Sequence, residues 1–109
     1  MSRVYVTHNR MRKRDNALIP ALDLRPAEQF GSLSAVFDHE MDPSLDADLS
    51  LARARLRDYD DEQDYILPTG SPLATFTVGM LLHERGATLI QVLEWDRFAL
   101  KYHVRTVQL

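Results

Sequence analysis

No cysteine occurs in the 109 residues, which excludes disulfides, zinc thiolate sites, iron–sulfur clusters and thiol nucleophiles together. Glycine is scarce, with four residues, and none of them falls into GxGxxG or GxxxxGK[ST], so both phosphate-cradling fingerprints are missing. The signatures HExxH and GxSxG are absent as well. No apolar run approaches the roughly 18 to 20 residues that a bilayer-spanning helix needs, and the opening MSRVYVTHNRMRKR has no apolar stretch of the secretion-signal kind. The expectation is a cytoplasmic protein without membrane contact, cofactor, metal site or assigned catalytic residue.

Acid is missing from residues 1–14, which carry Arg3, Arg10, Arg12, Lys13 and Arg14, whereas residues 38–64 hold ten acids against Arg53, Arg55 and Arg57. The overall charge of -3 therefore conceals one basic end and an acidic middle. Such polarity either steers a partner or keeps the surface solvated, the second being the commoner case. Hydrophobic residues at 45% and charged residues at 27% match an ordinary folded domain. The length fits one domain, residues 1–109.

Alternation in RVYVTH predicts a strand over Arg3–His8, followed by a turn at Lys13, Arg14, Asp15 and Asn16 and a return strand over residues 17–22, an edge hairpin with a basic tip. Pro26 opens a short helical turn that ends near Gly31, and Ser32–Phe37 resumes as a strand. Asp42 as N-cap with Pro43 at the first helical position starts a helix whose stripe is Leu45, Leu49, Ala52, Leu56 and Tyr59. The polar run RDYDDEQD then reads as an exposed connection. After the short strand Tyr65–Leu67, Ser71 and Pro72 repeat the cap signal. Leu73, Phe76, Met80 and Leu81, with Val78 and Leu82 nearby, give the second helix a broad apolar face expected to be buried, Phe76 in the core, and Gly86 closes it. Residues 87–95 and 98–107 form a terminal hairpin around Asp96 and Arg97.

The fold class expected from this order is α/β: a small mixed sheet with a parallel core, antiparallel hairpins at both chain ends and two main helices, Rossmann-like in the loose sense. Ligands of such sheets bind outside the carboxyl ends of parallel strands. That edge would hold His39, between Asp38 and Glu40, and the loop residues Thr69, Gly70 and Ser71, a candidate anion or ligand site at a helix N-terminus. An ordinary capped turn is the commoner meaning of such a loop, and Pro72 removes one donor. Arg10, Arg12, Lys13 and Arg14 are candidates for nucleic-acid or partner contact, against the plainer account of a charged edge strand that resists aggregation. Trp95 and Phe98, with Tyr102 on the return strand, either pin the hairpin register or anchor a partner.

The segments RVYVTHNRM, DLRPAEQFG, ILPTGSP and LEWDRFALKY resemble small proteins of unassigned activity encoded by bacteriophages and other bacterial mobile elements. That resemblance implies an accessory protein directed at a host factor, with no catalytic residues to carry over. The leading expectation is a non-enzymatic binding protein acting through protein–protein contacts, its own twin included. The alternative is a small nucleotide-binding or phosphoester-processing domain at the strand ends, and nucleic-acid binding through the basic hairpin is a third reading.

Overall fold

The computed structural model describes residues 2–20 and 22–109. The chain runs through β1 (Arg3–His8), β2 (Met11–Arg14), β3 (Ala17–Pro20), a 3-10 helix (Arg25–Phe30), β4 (Ser32–Phe37), α1 (Asp46–Arg55), β5 (Tyr65–Leu67), α2 (Pro72–Glu84), β6 (Leu89–Asp96) and β7 (Lys101–Gln108). Five strands make one sheet in the order β4-β1-β5-β6-β7. The first four run parallel and β7 returns antiparallel to β6. This is the expected mixed α/β sheet with a parallel core and two main helices.

The strand β1 is not an arm of the first hairpin. It lies between β4 and β5, because Val4 through His8 are all buried and a strand covered on both faces belongs in the middle of a parallel sheet. The hairpin is instead β2 with β3, a separate two-stranded ribbon in the register Met11↔Pro20, Arg12↔Ile19, Lys13↔Leu18 and Arg14↔Ala17. Its turn residues Asp15 and Asn16 both have positive φ, 51° and 65°, the backbone of a two-residue primed turn whose twist suits a hairpin. Residue 21 of the expected return strand lies outside the described residues.

One core lies between the sheet and the helices, built around Tyr5, Phe37, Leu56, Val78 and Leu82. The other face packs Val4, Val6, Leu67 and Leu93 under Ala27 of the 3-10 helix. The first helix starts three residues later than its sequence signal, at Asp46, with Leu45 as the cap residue. The Asp42 carboxylate instead accepts from the Ser44 N–H at 2.8 Å and the Ser44 hydroxyl at 2.6 Å, closing a local turn that competes with helix. Of the expected stripe, Ala52, Leu56 and Tyr59 are buried and Leu45 is exposed.

The expected face of α2 is buried at Leu81, Val78 and Leu82 and exposed at its other members. Ala74, Thr77, Val78, Leu81 and Leu82 are buried, while Leu73, Phe76 and Met80 face outward, Phe76 at 70% exposure. Apolar residues surround this helix, so periodicity does not single out a side. The sheet takes the side bearing Ala74, Thr77 and Val78, small or branched residues that allow close approach.

The acidic run before β5 is more than an exposed connection. Asp64 is buried and accepts from the backbone N–H groups of Arg3 and Asp60, each at 2.8 Å. Asp61 accepts from the Thr88 N–H at 3.0 Å and hydroxyl at 3.1 Å, which lowers its carboxyl below the usual range. These carboxylates tie the amino ends of β1 and β6 to the loop. Burial, aided by nearby Asp61 and Asp64, pushes the Tyr59 phenol up to about 12.

The two outer strands of the sheet are finished differently. At β4, the Arg55 guanidinium donates to the backbone carbonyls of Val36 at 3.2 Å and Ala35 at 3.5 Å while pairing with Asp38 at 2.8 Å. No described side chain bonds to the backbone of β7 in this way.

Candidate functional site

The loops after β1, β4 and β5 meet at the carboxyl edge of the sheet. Because β1 leads to β4 on one side while β5 and β6 lie on the other, this edge at β1 and β5 is the switch point where open α/β sheets form a crevice. The Thr7 hydroxyl donates to the Thr69 carbonyl at 2.8 Å and accepts from the Thr69 N–H at 2.9 Å. With that proton committed, the Thr75 hydroxyl is the donor across 3.1 Å to Thr7. The Thr69 hydroxyl donates to the His8 carbonyl at 2.7 Å. The loop after β5 is thus fastened to the end of β1.

Ser71 is the N-cap of α2, its Oγ accepting from the Ala74 N–H at 3.1 Å, as the Ser-Pro signal predicts. His8 Nδ1 lies 3.5 Å from the same Oγ. His8 is 6% exposed, and its Nε2 is buried without a hydrogen-bond partner among the described residues. Burial, and next the Arg10 cation, hold its imidazole below the ordinary histidine value. Sequence periodicity singles out neither Thr7 nor His8. Their signal is position, at the end of a strand buried on both faces.

This neutral histidine gives a pH dependence with a definite sign. Below the ordinary histidine value, about 6.5, the unfolded chain takes up a proton that folded His8 resists, so stability falls as the pH drops. Urea unfolding measured from about pH 7.5 to 5, above the range of the ordinary carboxylates, should show this loss, and His8→Gln should reduce the slope. Equal slopes in the two proteins would assign it to another group.

Of the candidate ligand residues, Thr69, Gly70 and Ser71 are gathered against His8. His39 turns elsewhere: its Nδ1 accepts from the Met11 N–H at 3.1 Å, holding the root of the β2–β3 ribbon. The same root is fixed by the Asn9 N–H on the Phe37 carbonyl at 2.9 Å and the Arg10 N–H on the His8 carbonyl at 3.0 Å. A cleft of about 560 Å³ lies between ribbon and body, with Arg12, Ile19, Leu24, Arg25 and Leu33 among its walls. Arg25 is held by Asp23 at 2.8 Å, and its hydrogen bonds keep the Asp23 carboxyl at about 2.

Arg10, Arg12, Lys13 and Arg14 are all exposed. Among the described residues, none of the four is within ion-pair distance of a carboxylate, whereas Arg25, Arg53, Arg55 and Arg105 each are. No described group of three or more His, Asp or Glu is placed to hold a metal ion, and no described helix is long and apolar enough to cross a membrane.

The terminal hairpin carries the remaining candidates. Trp95 lies opposite Tyr102, with ring centroids 4.9 Å apart in an edge-to-face arrangement, a cross-strand pair of the kind that fixes register. Phe98 stands apart at the turn, 86% exposed, with Arg97 over its ring at 5.2 Å. The turn is longer than the expected Asp96–Arg97 pair. The Asp96 carboxylate accepts from the Phe98 N–H at 2.9 Å and the Ala99 N–H at 3.0 Å, and Leu100 has φ 55°. Those amides, together with His103 Nε2 at 2.9 Å, keep the Asp96 carboxyl at about 2.

Beside this hairpin, a groove of about 650 Å³ runs between α2 and the sheet. Phe76 and Met80 form one wall, and Val92, Val107 and Leu109 lie on the sheet side. The groove is apolar and open.

A protein-family model described as phage Pam3 gp32-like protein matches residues 2–109. No curated protein and no solved structure matches the chain.

Proposed function

The chain belongs to the phage Pam3 gp32-like protein family, and from that premise we propose a phage-encoded accessory protein that acts by protein–protein contact, its first partner being a second copy of itself. The observation that carries this reading is the open edge of β7, eight residues long, beside the apolar groove. An edge strand offers a row of backbone donors and acceptors, and another strand edge is their natural complement. Arg105 on β7 is balanced by Glu94 at 3.2 Å and His103 is bonded to Asp96, which leaves Lys101 at the start of the strand as its one cation without an ion pair among the described residues.

Pairing about a twofold axis fixes the geometry further. Residues directly opposite in an antiparallel pair share a face, so the odd-numbered residues of β7, on the helix side with Val107, meet odd-numbered residues of the twin. The result is a continuous sheet with both α2 grooves on one side. The nucleotide or phosphoester reading has less support, because the Thr69 hydroxyl is committed to the His8 carbonyl and Pro72 takes one N–H from the start of α2.

Light scattering over micromolar concentrations tests the proposal. The expected mass is twice the 12.5 kDa of one chain. Val104→Lys with Val107→Lys, both at exposed positions of β7, should return it to the single-chain mass without loss of secondary structure. A parent mass of one chain throughout, or a variant that keeps the doubled mass, overturns the reading.

A further inference from the structure

We infer that the β2–β3 ribbon is an arm that binds duplex nucleic acid through its phosphate backbone, a role separate from self-association. The ribbon is a sheet of its own, rooted by the bonds of Asn9, Arg10 and Met11. Its shape suits the target, since a two-stranded ribbon fits the major groove of a duplex.

Its charges are arranged for such a site. The register places Arg12 and Arg14 on one face with Ile19 and Ala17, and Lys13 on the other with Leu18. Arg12 and Ile19 line the cleft toward the body, which leaves Lys13 on the outer face and Arg14 beside the turn as the cations at the free end of the ribbon. The chain has more acids than bases, 16 against 13, yet these four cations have no carboxylate within ion-pair distance among the described residues. The only acid in the ribbon is Asp15 at its turn. The carboxylates of residues 58–64 precede β5 and so lie at the amino edge of the sheet, opposite the ribbon root. Asp38 and Glu40 flank His39 at the root and Asp23 and Glu28 line the cleft, so the field that draws a polyanion is that of the ribbon's own cations.

Duplex is favoured over single strands by what the ribbon lacks. Residues 10–20 contain no Phe, Tyr or Trp, and single-strand binders hold bases by stacking them on such rings. A cationic ribbon without stacking platforms reads the backbone, which fixes position on the duplex without specifying sequence.

Fluorescence anisotropy with a labelled mixed-sequence DNA duplex, and with one of its strands alone, tests this inference across a salt series. The duplex should bind more tightly than the single strand. If four cations neutralise phosphates, log affinity should fall against log salt with a slope of about -3 to -4 per arm. The triple variant Arg12→Ala, Lys13→Ala, Arg14→Ala should reduce that slope by roughly 2 to 3, and Arg14→Ala alone by about 1. Circular dichroism of both variants should match the parent, since the substituted residues are exposed. No duplex binding by the parent at low salt, a triple variant with unchanged binding, or tighter binding of the single strand would each overturn the inference.

Discussion

Leu82→Ala is expected to lower unfolding free energy by about 2 to 5 kcal/mol, the range for removing a buried leucine side chain and leaving a cavity. Leu82 is fully buried in the core beneath α2, with Tyr5, Ile66 and Val78 in the same cluster. For a chain of this size the thermal midpoint should drop by roughly 10 to 30 °C. Phe76→Ala, six residues earlier on the same helix, supplies the contrast. Its ring is largely in solvent, so the loss should stay within about 1 kcal/mol. Thermal melts of the two variants decide whether the buried side of α2 is assigned correctly, and a larger loss for Phe76→Ala would reverse the assignment.

Gly70→Ala is the second large effect. Gly70 has φ 77°, and an added Cβ would lie 2.5 Å from the Cβ and 2.8 Å from the carbonyl oxygen of His8. Left-handed backbone costs a non-glycine residue roughly 1 to 2 kcal/mol, and overpacking adds about 1 to 3 kcal/mol. His8 cannot move aside cheaply, because it ends a strand paired on both sides and its carbonyl already accepts from Thr69 and Arg10. Denaturant unfolding should show a combined loss of about 2 to 5 kcal/mol. A loss below that of an ordinary exposed substitution would mean that the loop and strand end are less tightly joined than the hydrogen bonds indicate.

The sequence makes the terminal hairpin, the Ser71 cap and the alternation of strands with helices legible, because each rests on local chemistry. Position within the sheet is not local. The RVYVTH segment reads as half of a hairpin, and only tertiary burial shows that Val4 and Tyr5 both face cores, on opposite sides of the sheet. The side of α2 is illegible for a different reason: Phe76 and Met80 are as apolar as Leu81 and Leu82, and nothing in the pattern tells a groove wall from a core. At the candidate site, Thr69, Gly70 and Ser71 are legible as a strand-to-helix loop. Their commitment to Thr7 and His8 joins residues more than sixty positions apart, which spacing rules do not reach. His39 is legible as a histidine among carboxylates, yet its bond is to a backbone amide of the ribbon.

Arg55, which covers the carbonyls of β4 while it holds Asp38, bears on how far association can proceed. A sheet with two open outer strands has a valence of two, and head-to-tail pairing of unlike edges grows without end into a filament. The Arg55 contacts with β4 make the two edges unequal and leave β7 the more open of them. In the proposed twofold pairing through β7 the open edge of each copy is consumed, and the guanidinium on two carbonyls of β4 discourages a further copy from adding on the far side of the sheet.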